Sequence, residues 1–158
     1  MAVVKLVNET YRSNNVTYHD SLEAVINYIL FDKKSKRPRN YFGGIGVDPF
    51  CAAYQFRAIK SYFRKSEESR RQARHFVVSF ETESTIDAYT ASLIAVEIAK
   101  YYSPRYQIIY AVHENTENIH VHFVMNTVGY IDGRMYGDGY GDYYRLCSYV
   151  DKIVKKYV

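Results

Sequence analysis

No stretch of this 158-residue sequence approaches the roughly 20 consecutive apolar residues that a membrane-spanning helix requires. The N-terminal Met-Ala-Val-Val-Lys-Leu-Val has neither the long apolar core nor the small-residue cleavage site of a secretory leader. Both absences lead us to expect a soluble, cytoplasmic protein with no membrane partner. Cysteine is scarce: Cys51 and Cys147 are the only two. Each falls in a stretch of helical pattern, which fits reduced thiols better than a disulfide framework. Internal repeats and linker-like runs are also missing, so residues 1–158 are expected to fold as one domain, long enough to bury a core without staples.

What the sequence does have is unevenly spread. The formal charge is only +4, yet twelve Lys or Arg fall between Lys33 and Arg74 against three acids, Asp48, Glu67 and Glu68. A basic segment of that kind is the electrostatic footprint of a polyanion partner. Its densest part, Lys33 to Asn40 (KKSKRPRN), is a proline-broken loop expected to be mobile, with Lys33, Lys34, Lys36, Arg37 and Arg39 as the candidate DNA-binding side chains. Eighteen tyrosines and eight phenylalanines could stack on unpaired bases, but most are needed for the core.

Periodicity supplies the elements. Ala2 to Val7 reads as a strand, and Ser21 to Phe31 as a helix with Leu22, Val25, Ile26, Ile29 and Leu30 at helical spacing. Gly43, Gly44 and Gly46 lead to Asp48-Pro49, which open a helix reaching about Lys65. Ala73 to Phe80 is a buried strand, and Ser84 or Thr85 caps a helix reaching about Tyr102. Tyr106 to His113 and Ile119 to Val128 form a hairpin, followed by a tight turn at Asp132-Gly133. A final amphipathic helix starts at Asp142. This order of elements predicts an α+β domain, a central antiparallel sheet flanked by helices.

Chemistry concentrates in one place. Three of the five histidines, His113, His120 and His122, lie within ten residues. Side chains alternate along a strand, so His120, His122, Val124 and Asn126 share one face while Ile119, Val121, Phe123 and Met125 fill the other. His113 ends the preceding strand and completes a trio that fits a divalent metal with positions left for water or a phosphate oxygen. A closed structural zinc site fits less well, because neither cysteine is near. His75 reads as a core or supporting histidine, and His19 as a surface one.

The run from His113 to Asn126 resembles motif III of the relaxase or mobilisation nuclease family, the three-histidine HUH-type endonucleases of conjugative plasmids and integrative elements. That motif reads HxDxx[HN]xHxHxxxN, and His113, Asn118, His120, His122 and Asn126 match it here. Asn115 stands where the family commonly has aspartate, and Glu114 or Glu117 is a possible source of the missing charge. The segment from Ala24 through Tyr28 to the Lys33-Lys34 pair is similar to the family's helical tyrosine motif, and His75 to Phe80 to its central strand.

The resemblance implies an HUH fold with a ferredoxin-like or palm-like core. It implies a Mn2+ or Mg2+ ion on the three histidines, supported by Asn115 and Asn126, and Tyr28 as nucleophile with Tyr18 and Tyr11 as alternatives. The activity implied is nicking of single-stranded DNA at an origin of transfer, leaving a 5′-phosphotyrosyl protein and a free 3′-hydroxyl, alongside accessory relaxosome proteins and a coupling protein. Three other readings stay open: a hydrolytic nuclease using metal-bound water, a DNA-binding module without turnover, and a replication initiator of the same superclass.

Overall fold

The computed structural model describes residues 2–7, 18–67, 71–114, 116–137 and 141–158, with the side chains of the first helix from Leu22 onward. Five strands, β1 (Ala2–Val7), β2 (Phe42–Ile45), β3 (Ala73–Phe80), β4 (Ile108–His113) and β5 (His120–Asn126), form one sheet. Their order is β1-β3-β5-β4-β2, with every neighbouring pair antiparallel. The helices are α1 (Tyr18–Leu30), α2 (Ala52–Tyr62), α3 (Ala88–Ala99) and α4 (Asp142–Val154). This is the expected α+β class.

Strand alternation divides the apolar residues between two cores, one on each sheet face. Phe76, Val78, Phe80, Val121, Phe123 and Met125 pack under α3 and α4, where Ile94, Ile98, Leu146 and Val150 meet them. The rings of Phe76 and Phe123 stack at 4.6 Å between centroids. On the other face Ala73, Ile109, Ala111 and Val124 meet Leu22, Val25, Ile26 and Ile29 of α1 and Phe56 of α2. His75, His113, His120 and His122 project from this second face, at the end reached by the last turns of α1.

Several elements differ from the sequence reading for identifiable reasons. Strand β2 is an element that the sequence reading did not include. It pairs with β4, and a Cβ on Gly43 would sit 2.5 Å from Tyr110 Oη, so the glycine lets that ring lie across the strand. Helix α3 is capped by Asp87, whose Oδ1 accepts the Thr90 amide at 2.8 Å, and not by Ser84 or Thr85. Asp48-Pro49 opens a 3-10 turn before α2 begins at Ala52, and α2 ends at Tyr62, short of Lys65.

The basic loop is a closed turn: Arg39 N donates to Leu30 O at 2.7 Å, Asp32 N to Arg37 O at 2.8 Å, and Phe31 bridges Pro38. Asp32 Oδ1 accepts the amides of Lys34 and Ser35, both at 2.9 Å. These bonds pull the Asp32 pKa down, with the Ser35 amide contributing most. The turn expected at Asp132-Gly133 is present, closed by Gly129 N to Arg134 O at 2.9 Å.

Candidate metal and nucleophile site

The β4–β5 register sets His113 directly opposite His120 and Ala111 opposite His122. Directly opposed residues have Cβ atoms about 5 Å apart, and His122 is the diagonal neighbour on the same face. The imidazole centroids lie 5.2 Å apart for His113 and His120, 4.1 Å for His113 and His122, and 5.0 Å for His120 and His122. One potential ligand atom from each ring falls within 4.8 Å of the other two.

Hydrogen bonds dictate which nitrogen each ring offers. A carbonyl only accepts, so the 3.0 Å contact of His113 Nε2 with Ile29 O puts the proton on Nε2 and leaves Nδ1 as the lone pair. His120 Nδ1 meets Asn118 O at 2.9 Å and therefore carries its proton there, leaving Nε2. His122 Nδ1 lies 2.8 Å from His75 Nε2, while its Nε2 is buried without a partner. Such an orphan costs on the order of 1–3 kcal/mol unless something binds it, and a divalent ion is a ligand that the other two free nitrogens also fit.

Burial keeps the His113 and His122 rings neutral, as metal ligands must be. It pushes His122 down to about 2 and His113 down to about 4, with the Arg39 guanidinium adding to the effect on His113. Burial also takes His75 down to about 4.

Tyr28 stands beside this trio. Its ring centroid is 5.7 Å from that of His113 and 5.4 Å from that of His122, and the residue is 56% exposed. Packing therefore does not consume its hydroxyl, whereas Val25 and Ile29 on the same helix are buried. A cavity of about 430 Å³ opens between α1 and the sheet, lined by Val7, Ala24, Val25, Tyr28, His75 and His122.

The comparison with known families decides what this arrangement belongs to. The family profile described as "Relaxase: MobA/VirD2-like, nuclease domain" matches residues 28–158. The chain is a member of the relaxase family. No curated protein and no solved structure matches it. The relaxase match takes in all three histidines together with Tyr28.

The remaining expected residues of the relaxase site are dispersed. Asn126 is fully buried four positions beyond His122, and its Nδ2 donates to Phe56 O at 3.2 Å and Gln107 Oε1 at 3.0 Å. It fastens α2 to the sheet. Asn115 and Tyr11 lie outside the described residues, as does the side chain of Tyr18. Glu114 accepts from Asn40 Nδ2 at 3.1 Å, and Glu117 is exposed.

Lys33, Lys34, Lys36 and Arg37 are exposed on the turn that follows α1. Arg39 is folded inward, 3.6 Å from Asp32 with its side chain 13% exposed, and its Nε is buried without a partner. The broader basic segment does not form one exposed patch. Lys60 and Arg74 are buried and Arg57 pairs with Glu23 at 2.8 Å. Sequence reasoning could not foresee the orienting carbonyls of Ile29 and Asn118, since backbone atoms leave no composition signal.

Proposed function

We propose that this relaxase-family chain nicks one strand of single-stranded DNA at an origin of transfer, with Tyr28 as nucleophile and His113, His120 and His122 as ligands of one Mn2+ or Mg2+ ion. The observation that carries the reading is the half-exposed Tyr28 ring within 6 Å of two of the three imidazoles. When bound, the ion would act as a Lewis acid on a non-bridging phosphate oxygen and orient the phosphate.

The chain's own residues do the rest. Tyr28 Oη forms a bond to phosphorus as the bond from phosphorus to the 3′-oxygen breaks. The phenolic proton leaves to solvent, to which the ring is open, and the departing 3′-oxygen takes up a proton. The products are a 5′-phosphotyrosyl protein and a 3′-hydroxyl. Because one phosphodiester bond replaces another, the step reverses readily. On this reading the protein works in the cytoplasm with accessory relaxosome proteins and a coupling protein.

The test is incubation with pooled single-stranded origin fragments and Mn2+, followed by denaturing electrophoresis for a covalent band. Tyr28→Phe keeps the ring and removes one oxygen. Its adduct yield should fall roughly 1,000-fold or more, with Mn2+ and DNA binding intact. An adduct near wild-type yield would overturn Tyr28 and turn attention to Tyr18 and then Tyr11. Metal-dependent cleavage with no adduct in any variant would favour hydrolysis by an activated water. The ligand set is tested by calorimetry, where His120→Ala or His122→Ala should abolish tight Mn2+ binding.

A further inference from the structure

Each of the three candidate ligands has a partner for its non-ligating nitrogen, and the partners differ in kind. His113 is held by the Ile29 carbonyl at 3.0 Å. His120 is held by the Asn118 carbonyl at 2.9 Å, with the Thr116 hydroxyl 3.2 Å away. Both carbonyls are fixed by the chain itself. His122 alone is held by an ionisable side chain, His75, across the β3–β5 ladder, where Val77 faces His122 and His75 is the diagonal neighbour on the same face.

His75 is itself 3% exposed, and its Nδ1 is buried without a partner. No packing requirement explains an imidazole there, since Ala73 and Val77 on the same face are plain apolar residues of the strand.

The shared hydrogen bond can be written two ways. Either His75 donates from Nε2 to His122 Nδ1, or His122 donates from Nδ1 to His75 Nε2. In the first form His122 must carry its remaining proton on Nε2, the nitrogen buried without a partner, and that nitrogen cannot ligate. In the second form the lone pair is on Nε2. Each form leaves one buried donor and one buried acceptor without a partner, so the pair is closely balanced on its own. An ion at Nε2 selects the second.

We propose that His75 is a positioning residue of the metal site: it accepts the Nδ1 proton of His122 and so turns the Nε2 lone pair of His122 toward the ion. A neutral imidazole here fixes the tautomer and ring plane without adding the negative charge that a carboxylate would bring. The inference rests on the three-histidine ligand reading above.

The test uses the full chain, with Mn2+ titrated by calorimetry and Zn2+ as a diamagnetic ion for 15N imidazole spectra. His75→Phe keeps an aromatic ring and removes both nitrogens. Loss of such an orienting partner commonly costs 10- to 100-fold in metal affinity, so the Mn2+ Kd should rise by about tenfold or more. His75→Gln places an amide oxygen at similar reach and should recover most of that loss. Val77→Ala, a packing change on the same strand, should leave the Kd within about twofold of wild type.

In the Zn2+-loaded wild type, the proton of His122 should be on Nδ1, bonded to an acceptor. Should His75→Phe not fold, the Kd of His75→Gln against a non-accepting His75→Leu decides the same question. A His75→Phe variant that folds, binds Mn2+ within twofold of wild type and keeps the His122 tautomer would overturn the proposal and leave the ligand reading standing. A wild-type protein that binds neither Mn2+ nor Zn2+ would sink the ligand reading and this inference with it.

Discussion

At the scale of single residues, the buried cation on α2 makes a separable stability argument. Lys60 is 1% exposed, donates from Nζ to Gln72 O at 2.6 Å, and has the Phe56 ring 5.7 Å away. Burial pushes its pKa from the usual 10.5 down to about 7, with the Arg57 charge contributing less. Between those two values the unfolded chain binds more protons at this side chain than the folded one. Unfolding free energy should therefore rise with pH from 7 toward 10. Tyr102 and Tyr136 are both raised, chiefly by burial, and both act in the opposite sense, but only above the ordinary tyrosine value of 10.0. The interval from pH 7 to 9 isolates the lysine. Urea unfolding across it should show rising stability in wild type and a flatter profile in Lys60→Met. Equal slopes would mean that Lys60 is solvated in the folded state.

At the scale of elements, the edge strand β2 tests how tightly the sheet was built around two glycines. A Cβ on Gly44 would meet Val47 O at 2.6 Å and both Ile109 Cγ2 and Pro49 Cγ at 3.3 Å. The first is backbone and cannot rotate away. Gly44→Ala should accordingly cost about 1–3 kcal/mol in urea unfolding, and a loss below about 0.5 kcal/mol would show that the strand shifts freely.

The same glycines explain why this strand was not legible in the sequence. Strands β3, β4 and β5 are near-continuous runs of mostly apolar, buried side chains, whereas Phe-Gly-Gly-Ile offers almost no side chains to read. The histidines were legible for the opposite reason: alternation along β5 fixes that His120 and His122 share a face, whatever the fold. Tyr28 was legible through the family motif alone. Its exposure depends on α1 ending over β4, a tertiary fact that helical spacing does not contain. The His75–His122 contact needed the β3–β5 register, and the cap at Asp87 lost to Ser84 and Thr85 because all three types cap helices well.

At the scale of the whole molecule, the two sheet faces divide the work. One face carries α3, α4 and most of the aromatic core, and the other brings α1, the four histidines and the turn from Leu30 to Arg39 together. The turn is stitched to the histidine hairpin by Val112 N to Tyr41 O at 2.8 Å and by Asn40 to Glu114 at 3.1 Å. No helix among the described residues is long and apolar enough to cross a membrane.

The formal charge of +4 understates the field near Tyr28, because Lys33, Lys34, Lys36 and Arg37 are exposed on that turn while Lys60 and Arg74 are buried elsewhere. Those four should contact the DNA backbone and not its bases, whereas Arg39 is drawn inward by Asp32. Each phosphate contact on a single strand contributes about −0.7 to the slope of log affinity against log salt, so four contacts give roughly −2.8. Replacing Lys33, Lys34, Lys36 and Arg37 with glutamine should bring the slope close to zero and weaken binding to unrelated sequences by similar factors. Fluorescence anisotropy with two oligonucleotides of different sequence, titrated between 50 and 300 mM salt, would measure both effects. A wild-type slope near zero would show that the turn does not touch the strand. A loss confined to one sequence would assign these side chains to base recognition.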